Sequence, residues 1–318
     1  MKKIYTILLM IVLVTGLTAF DKYAGEIYDL TSGVRNIAMG NTGLTDVKTF
    51  SPAYWNSALI PEIGESRVEL MHATEFDGLF KYDNISLFWN SQNPVAINLT
   101  RISINDIPLT KLEDESAEIS NNNRPYAYKY VDNNDYLLSI GLSRSLNSKL
   151  NIGLTPKITY RDVAEESGWA LGADISLLYK AKTNLLLAGK IDNVVATHVL
   201  WENGTYETVS PKADLEARFL FTMFKREIPF ELALRTEFFM LEDSDIGEYD
   251  LSITSINPHI GLSVTPFSNL SFLAGYDTNS LTAGVDLVYN NFTIFYAYSN
   301  SNESDLGSSQ KIALGYNF

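Results

Sequence analysis

The chain has 318 residues and a formal charge of −14, from 38 acidic against 24 basic side chains. Such an acidic excess excludes nucleic acid as a partner, because phosphate binding needs a basic face. With no cysteine, disulfides, Cys-ligated zinc, iron–sulfur clusters, a thiol nucleophile and a lipidated N-terminal Cys are excluded as well. A mean hydropathy of −0.03 with 46% hydrophobic residues fits neither a bundle of membrane helices nor a disordered chain. The length suits two soluble domains, or one large barrel or sandwich.

Lys2 and Lys3 precede an almost wholly apolar run from Ile4 to Val14, and the small residues Thr15, Gly16, Thr18 and Ala19 follow. This is the layout of a secretory signal peptide over residues 1–19, cleaved near Gly16 or Ala19. The competing reading, an uncleaved anchor, meets a run shorter than the roughly 20 residues of a spanning helix. Removal of Lys2 and Lys3 takes the charge from −14 to −16, and the mature chain is expected to be exported.

Residues 20–64 do not alternate and hold Gly33, Gly40, Gly43, Pro52 and Pro61. Ser51 before Pro52 predicts a helix start, since proline at the first turn lacks only an N–H that would go unused. Pro61 is expected to end that helix, leaving a short knob over Ala53 to Leu59. Such a compact segment ahead of a barrel is read as a plug or hatch inside it; a periplasmic tail is the alternative.

From residue 65 the chain reads in period two. Leu281, Ala283, Val285, Leu287 and Tyr289 alternate with Thr282, Gly284, Asp286, Val288 and Asn290, so one face of the strand is apolar and the other largely polar or small. Similar runs predict strands near 65–75, 80–90, 94–104, 135–145, 149–161, 167–180, 184–196 and 212–224, then near 229–241, 254–266, 269–277, 279–290, 292–300 and 309–318. Turn signals such as Asn147-Ser148 and Ser268-Asn269 separate them. The expected architecture is all-β, a transmembrane antiparallel barrel of about 14 strands over residues 65–318. Many runs have the 9–11 residues or more that a tilted strand needs to cross a bilayer, and Trp89, Tyr136, Tyr160, Trp169, Tyr179 and Tyr276 fall near run ends, where a membrane barrel carries its aromatic girdles. A large soluble β-protein is the rival architecture.

Within the barrel, alternation points Lys157, Asp174, Glu216, Arg218, Glu231, Arg235, Glu237 and Asp286 away from the apolar face and into the lumen. Mixed charges there suit a hydrated conduit or internal ion pairs that hold a plug. Arg35, a basic residue in the plug, is expected to pair with a lumen carboxylate such as Glu216 or Glu231, and Asn56 to bond the wall through its amide. The stretch from Asn105 to Asn134 reads as a long loop on the extracellular side, capping the barrel mouth, with Tyr126, Tyr128 and Tyr130 suited to partner contact.

Chemistry is sparse. His72, His198 and His259 are the histidines, and Asn257 and Ser263 beside His259 make poor material for a nucleophilic triad. The acidic stretches Glu242-Asp243-Ser244-Asp245 with Glu248 and Asp250, and Glu113-Asp114-Glu115 with Glu118, lack EF-hand spacing and read as solvated loops. No phosphate-binding glycine loop opens a helix. The expectation is a protein that is not an enzyme and takes no metal and no cofactor.

Two stretches carry a family likeness. Ile312, Leu314, Tyr316 and Phe318 alternate with Ala313, Gly315 and Asn317, and ending on Phe318 resembles the C-terminal signal of bacterial outer-membrane barrels, which implies the barrel-assembly machinery and outer-membrane lipid as partners. Arg35, Met39, Gly40 and Gly43, followed by Trp55, Asn56 and Ala58, resemble the N-terminal signature of the FadL-like superfamily. Ile107-Pro108-Leu109-Thr110, Asp192-Asn193-Val194 and the stretch from Ala274 to Phe318 look closer to its PorV/PorQ branch. One departure stands out: the family's Asn-Pro-Ala is Asn56-Ser57-Ala58 here, which puts a gating role for that turn in doubt. The resemblance implies a fourteen-stranded outer-membrane barrel serving a type IX-like secretion pathway and its proteins, or alternatively passive uptake of a hydrophobic ligand such as a long-chain fatty acid. A wall gap beside Asn93-Pro94 is expected if uptake is the role.

Overall fold

The computed structural model describes residues 26–318 apart from 195–196, 225–226, 241–248, 252–253, 279 and 302–307. The proposed signal peptide and the acidic stretch 242–248 therefore lie outside the described residues. The wall begins with β1 (Arg67–Glu75), β2 (Phe80–Trp89), β3 (Val95–Lys111), β4 (Tyr126–Ser145), β5 (Leu150–Val163), β6 (Glu166–Lys182) and β7 (Leu185–Asp192). A small hairpin, β8 (Thr197–Trp201) and β9 (Tyr206–Val209), intervenes before β10 (Lys212–Met223) and β11 (Ile228–Met240). After the two-residue β12 (Tyr249–Asp250) come β13 (Thr254–Phe267), β14 (Leu270–Asp277), β15 (Ser280–Tyr289), β16 (Phe292–Ser301) and β17 (Ser308–Asn317).

Each wall strand pairs antiparallel with its neighbours, and β1 pairs with both β2 and β17, so the sheet closes into a ring of 14 strands. Closure removes the unpaired edges that an open sheet would expose. The seam is finished by the Phe318 N–H on the Ser66 carbonyl at 2.9 Å. Outside the ring, Tyr316 lies between Phe292, at 4.8 Å, and Phe318, at 6.1 Å, and Phe318 contacts Trp89 at 5.7 Å. Tyr136, Tyr160 and Trp169 form a second outer aromatic row. Leu154, Ile158, Ile175, Leu215, Leu234 and Phe272 between them are exposed. A large apolar set thus faces outward, while the inward positions are mostly small or polar, with Met71, Tyr82, Phe88, Leu137 and Phe295 packing against the segment inside the ring.

Turns of a few residues join the strands at one end of the ring, including 89–95 and 267–270; the ends of β3, β7 and β11, each followed by a longer stretch of sequence before the next wall strand, lie at the other. The 111–126 connection is thus opposite the Ser268-Asn269 turn. The long loop expected over 105–134 is mostly strand: β3 and β4 continue as a two-stranded arm to Lys111 and Tyr126, with a bulge between Ile104 and Ile107. Apolar and aromatic residues such as Ile107, Leu109, Tyr128 and Tyr130 are mixed there with Asn105, Asp106, Lys129 and Asp132, so the arm pairs through its backbone while its composition reads as loop. The β8–β9 hairpin was likewise unforeseen. β7 stops at Asp192, Asn193 turns the chain at φ 52°, and β8 then takes up the upper part of β6 from Gly168 to Leu171.

Candidate functional site: the filled lumen

Residues 26–64 lie inside the ring. Short helices at Glu26–Asp29, Val34–Ala38 and Pro52–Trp55 are followed by a 3-10 turn over Ser57–Glu62. Pro61 sits within that turn instead of ending a helix at it, because the chain has already tightened from α to 3-10 geometry at Asn56. Pro52 takes the first helical turn as expected, but the Ser51 hydroxyl leaves the helix uncapped and meets Ser86 of the wall at 2.6 Å.

Arg35 is the hub. Its Nε donates to Asp46 Oδ2 at 3.0 Å, Nη2 to Glu231 Oε2 at 3.2 Å and Nη1 to Asp286 Oδ2 at 2.5 Å. The guanidinium fork, always charged, suits three acceptors at fixed angles. Arg218 backs it, 2.9 Å from Glu231 and 3.8 Å from Asp46. Burial alone would raise the Asp46 carboxyl, yet Arg218 and Arg35 outweigh it and hold Asp46 well below the usual carboxylate range. Glu231 was a foreseen partner of Arg35. Glu216 is not its partner; it accepts the backbone N–H groups of Gly43, Leu44 and Thr45 at 2.8, 2.9 and 3.1 Å, holding the loop after Gly40 to the wall.

The other signature residues are packing and hydrogen-bonding elements of the same segment. Gly40 has φ 64°, and a Cβ there would stand 2.5 Å from the Ile260 carbonyl oxygen, so plug backbone lies directly on wall backbone. At Gly43 a Cβ would enter the Trp55 ring. Trp55 is buried and donates Nε1–H to the Ser32 carbonyl at 2.7 Å. Met39 and Ala58 are fully buried. Asn56 Nδ2 donates to the Leu177 carbonyl of the wall at 3.2 Å and to the Leu44 carbonyl at 2.7 Å, while its Oδ1 accepts the Ala58 N–H at 2.8 Å. Ser57, where the family pattern has proline, places its hydroxyl 2.6 Å from that of Thr155 on β5. A side-chain tie to the wall replaces a stiff ring at this turn.

All the lumen candidates face inward and are buried, in three ionic groups. Glu216, Arg218, Glu231 and Asp286 surround Arg35. Lys157 and Asp174 pair at 2.5 Å, with Lys190 joining Asp174 at 3.2 Å and Asp192 at 2.6 Å. Arg235 bridges Asp214 at 3.0 Å and also meets Glu237, which lies 3.2 Å from Lys212 and 3.3 Å from His259. The other imidazole nitrogen of His259 is 2.8 Å from Asp277, so a carboxylate stands at each of its ring nitrogens. Sequence reading missed Asp46, Lys190, Asp192, Lys212 and Asp214. Asp214 shares the parity of Glu216 and Arg218 and was legible on that ground; Lys190 follows an apolar run whose two faces look alike.

Three spaces adjoin the plug. At the long-connection end, Ile27, Leu30, Phe80, Ile102, Ile104 and Val163 line an apolar pocket of about 220 Å³, with the Arg161–Asp135 pair, 3.1 Å apart, on its wall. A polar chamber of about 350 Å³ lies at Lys212, Glu237 and His259. At the short-turn end, Val47, Leu186, Leu220 and Pro229 border a space of about 470 Å³ beneath the 45–48 loop. The wall beside Asn93-Pro94 is continuous, since β2 and β3 pair from Trp89 opposite Val95 through Lys81 opposite Ser103. The opening there that would have favoured uptake is absent, so the uptake reading rests on the pocket at the other end of the ring. Among the described residues no cluster of His, Asp and Glu has the arrangement of a metal site.

No family model matches the sequence, and no curated protein matches it. Among solved structures the chain is similar to the toluene transporter TbuX of Ralstonia pickettii, with TM-score 0.56 and 10% identity over 90% of this chain and 98% of that one. The toluene transporter TodX of Pseudomonas putida gives TM-score 0.57 and 10% identity over 91% and 98%. A FadL homologue of Pseudomonas aeruginosa gives 0.53 and 10% over 91% and 98%. At such identities the likeness is one of architecture: this chain has the FadL-like barrel fold, a closed ring of 14 antiparallel strands.

Proposed function

We propose that this chain is a FadL-like outer-membrane barrel that admits hydrophobic small molecules, exported by its N-terminal signal and acting without catalysis. The observation that carries the reading is the apolar pocket at the long-connection end, where Ile102, Ile104, Phe80 and Leu30 offer a non-polar guest a landing site on top of the plug. The fold likeness to two toluene transporters and a FadL homologue supports it. The Arg161–Asp135 pair beside the pocket gives an amphipathic guest, such as a fatty acid, a polar contact that toluene would not use. The long-connection end is extracellular in this reading, and passage requires the plug to shift, since its ionic groups fill the lumen.

Secretion service of the PorV/PorQ kind is the second reading. What favours it is the arm of β3 and β4, on which Tyr126, Tyr128 and Tyr130 are exposed. Uptake of labelled toluene and of labelled fatty acid by cells expressing the chain, against cells lacking it, separates the two. The expected result is faster uptake of one or both, lost in Ile102→Arg, which puts a charge in the pocket. Equal uptake with and without the folded barrel overturns the proposal.

A further inference from the structure

The apolar outer face is not equally tall around the ring. On β5 it runs from Ile152 through Leu154, Pro156 and Ile158 to Tyr160. On β1 the outward row is Val68, Leu70, His72 and Thr74, so it turns polar after two residues. Counted from the short-turn end, β2 presents Trp89, Leu87 and Ile85, then Asp83 and Lys81; β3 presents Val95, Ile97 and Leu99, then Arg101. Strand register sets His72 opposite Asp83 and Asp83 opposite Arg101, so the break forms one polar shelf across three strands. His72 Nδ1 lies 2.7 Å from Asp83 Oδ1, with both side chains about half exposed, at 50% and 49%. Arg101 donates to Asn134 Oδ1 at 2.8 Å, stands over the Tyr136 ring at 6.0 Å and is exposed on the outer face.

Below the shelf, toward the short-turn end, Leu70, Ile85, Ile294, Ile312 and Leu314 line a shallow groove of about 570 Å³ with His72 and Asp83 at its head. We infer that shelf and groove together hold one phosphate-bearing lipid of the outer leaflet, its acyl chain along the groove and its phosphate at Arg101, Lys81 and His72. The inference rests on the outer-membrane reading above. Charge complementarity selects the occupant. On a chain of charge −14, this outward patch sets Arg101, Lys81 and a histidine against the single carboxylate of Asp83. Cations facing hydrocarbon are costly without a counter-charge, and a phosphate supplies it with oxygens that fit a guanidinium. A second copy of the chain would bring the same basic shelf and repel.

The test is native mass spectrometry of the folded barrel released from vesicles containing lipid A. Its probes are lipid A and dephosphorylated lipid A; the variant is Lys81→Gln/Arg101→Gln, and heat-modifiable gel migration confirms that the ring is intact. One lipid A retained per barrel is expected, with retention about tenfold lower for the dephosphorylated lipid and about tenfold lower in the variant. Inorganic phosphate at millimolar concentration is expected not to displace it, since free phosphate lacks the chain that fills the groove. Equal retention of both lipids, retention unchanged in the variant, displacement by phosphate alone, or a lipid-free dimer each overturns the inference. A wild-type chain that folds but does not insert into vesicles refutes the membrane reading itself, a failure distinguishable from loss of lipid preference in an inserted barrel.

Discussion

Removing the Arg35 side chain is predicted to loosen the plug while leaving the ring closed. In Arg35→Ala, Asp46, Glu231 and Asp286 lose the cation they share. Removing one side of a buried ion pair costs about 3–5 kcal/mol, because the other charge is left stranded. Arg218 still stands 2.9 Å from Glu231 and 3.8 Å from Asp46, so the full loss falls on Asp286, and the lower end of that range, about 3 kcal/mol, applies. At 1.4 kcal/mol per decade this raises the displaced population of the plug about a hundredfold. Hydrogen–deuterium exchange reads it directly, as a comparable fall in protection of the amides of Asn36 to Asp46 with the wall strands unchanged. Arg35→Lys keeps the charge but not the fork and falls between. Adding Asp286→Asn to Arg35→Ala removes the stranded carboxylate and recovers part of the protection. Unchanged exchange in Arg35→Ala, or an equal loss in plug and wall together, refutes the reasoning.

Gly43→Ala drives a methyl into the Trp55 ring and is expected to cost about 1–3 kcal/mol by overpacking, seen as higher single-channel conductance in planar bilayers with normal gel migration. Asn56→Leu strips donors from the Leu44 and Leu177 carbonyls and the acceptor of the Ala58 N–H; a loss of about 1–3 kcal/mol follows, read as faster proteolysis near residues 48–58. Because the folded Asp46 carboxyl titrates below its unfolded value of about 4, its stabilising effect is complete above that pH and drains away as pH falls toward the folded value. The Asp46 contribution, read as the difference in plug protection between the wild type and Asp46→Asn, is therefore expected to be flat from pH 8 to about 5 and to shrink below about pH 4.

Legibility in the sequence followed the hydrophobic face. β15, read near 279–290, spans Ser280–Tyr289, because its outward side chains are apolar and its inward ones largely polar or small, and every wall strand with that division was found. The tops of β3 and β4 read as loop because their Asn, Asp and Pro content outweighs the alternation of Tyr126, Tyr128 and Tyr130, and only the pairing shows that row to be a strand face. Inward charges followed from parity alone, as with Glu231 and Arg235, but their partners did not. Arg35 and Asp286 are 251 residues apart and meet only because the ring closes. Glu216 illustrates the same limit: a lumen carboxylate was legible, while its use as an acceptor for three backbone N–H groups depends on a loop conformation that no pattern announces. The break in the apolar face at His72, Asp83 and Arg101 was present in the strand rows and becomes visible only when register aligns them.

The segment inside the ring passes directly into β1 through residues 63–66, so the blocking element and the wall are one covalent piece. A plug displaced from its site thus cannot diffuse away; a linker this short keeps it at an effective concentration of about millimolar or more beside its own site. Reseating is an intramolecular event, fast and independent of how many copies a membrane holds. An opened lumen would therefore be a transient of the single molecule, closing again without help as soon as whatever displaced the plug has left.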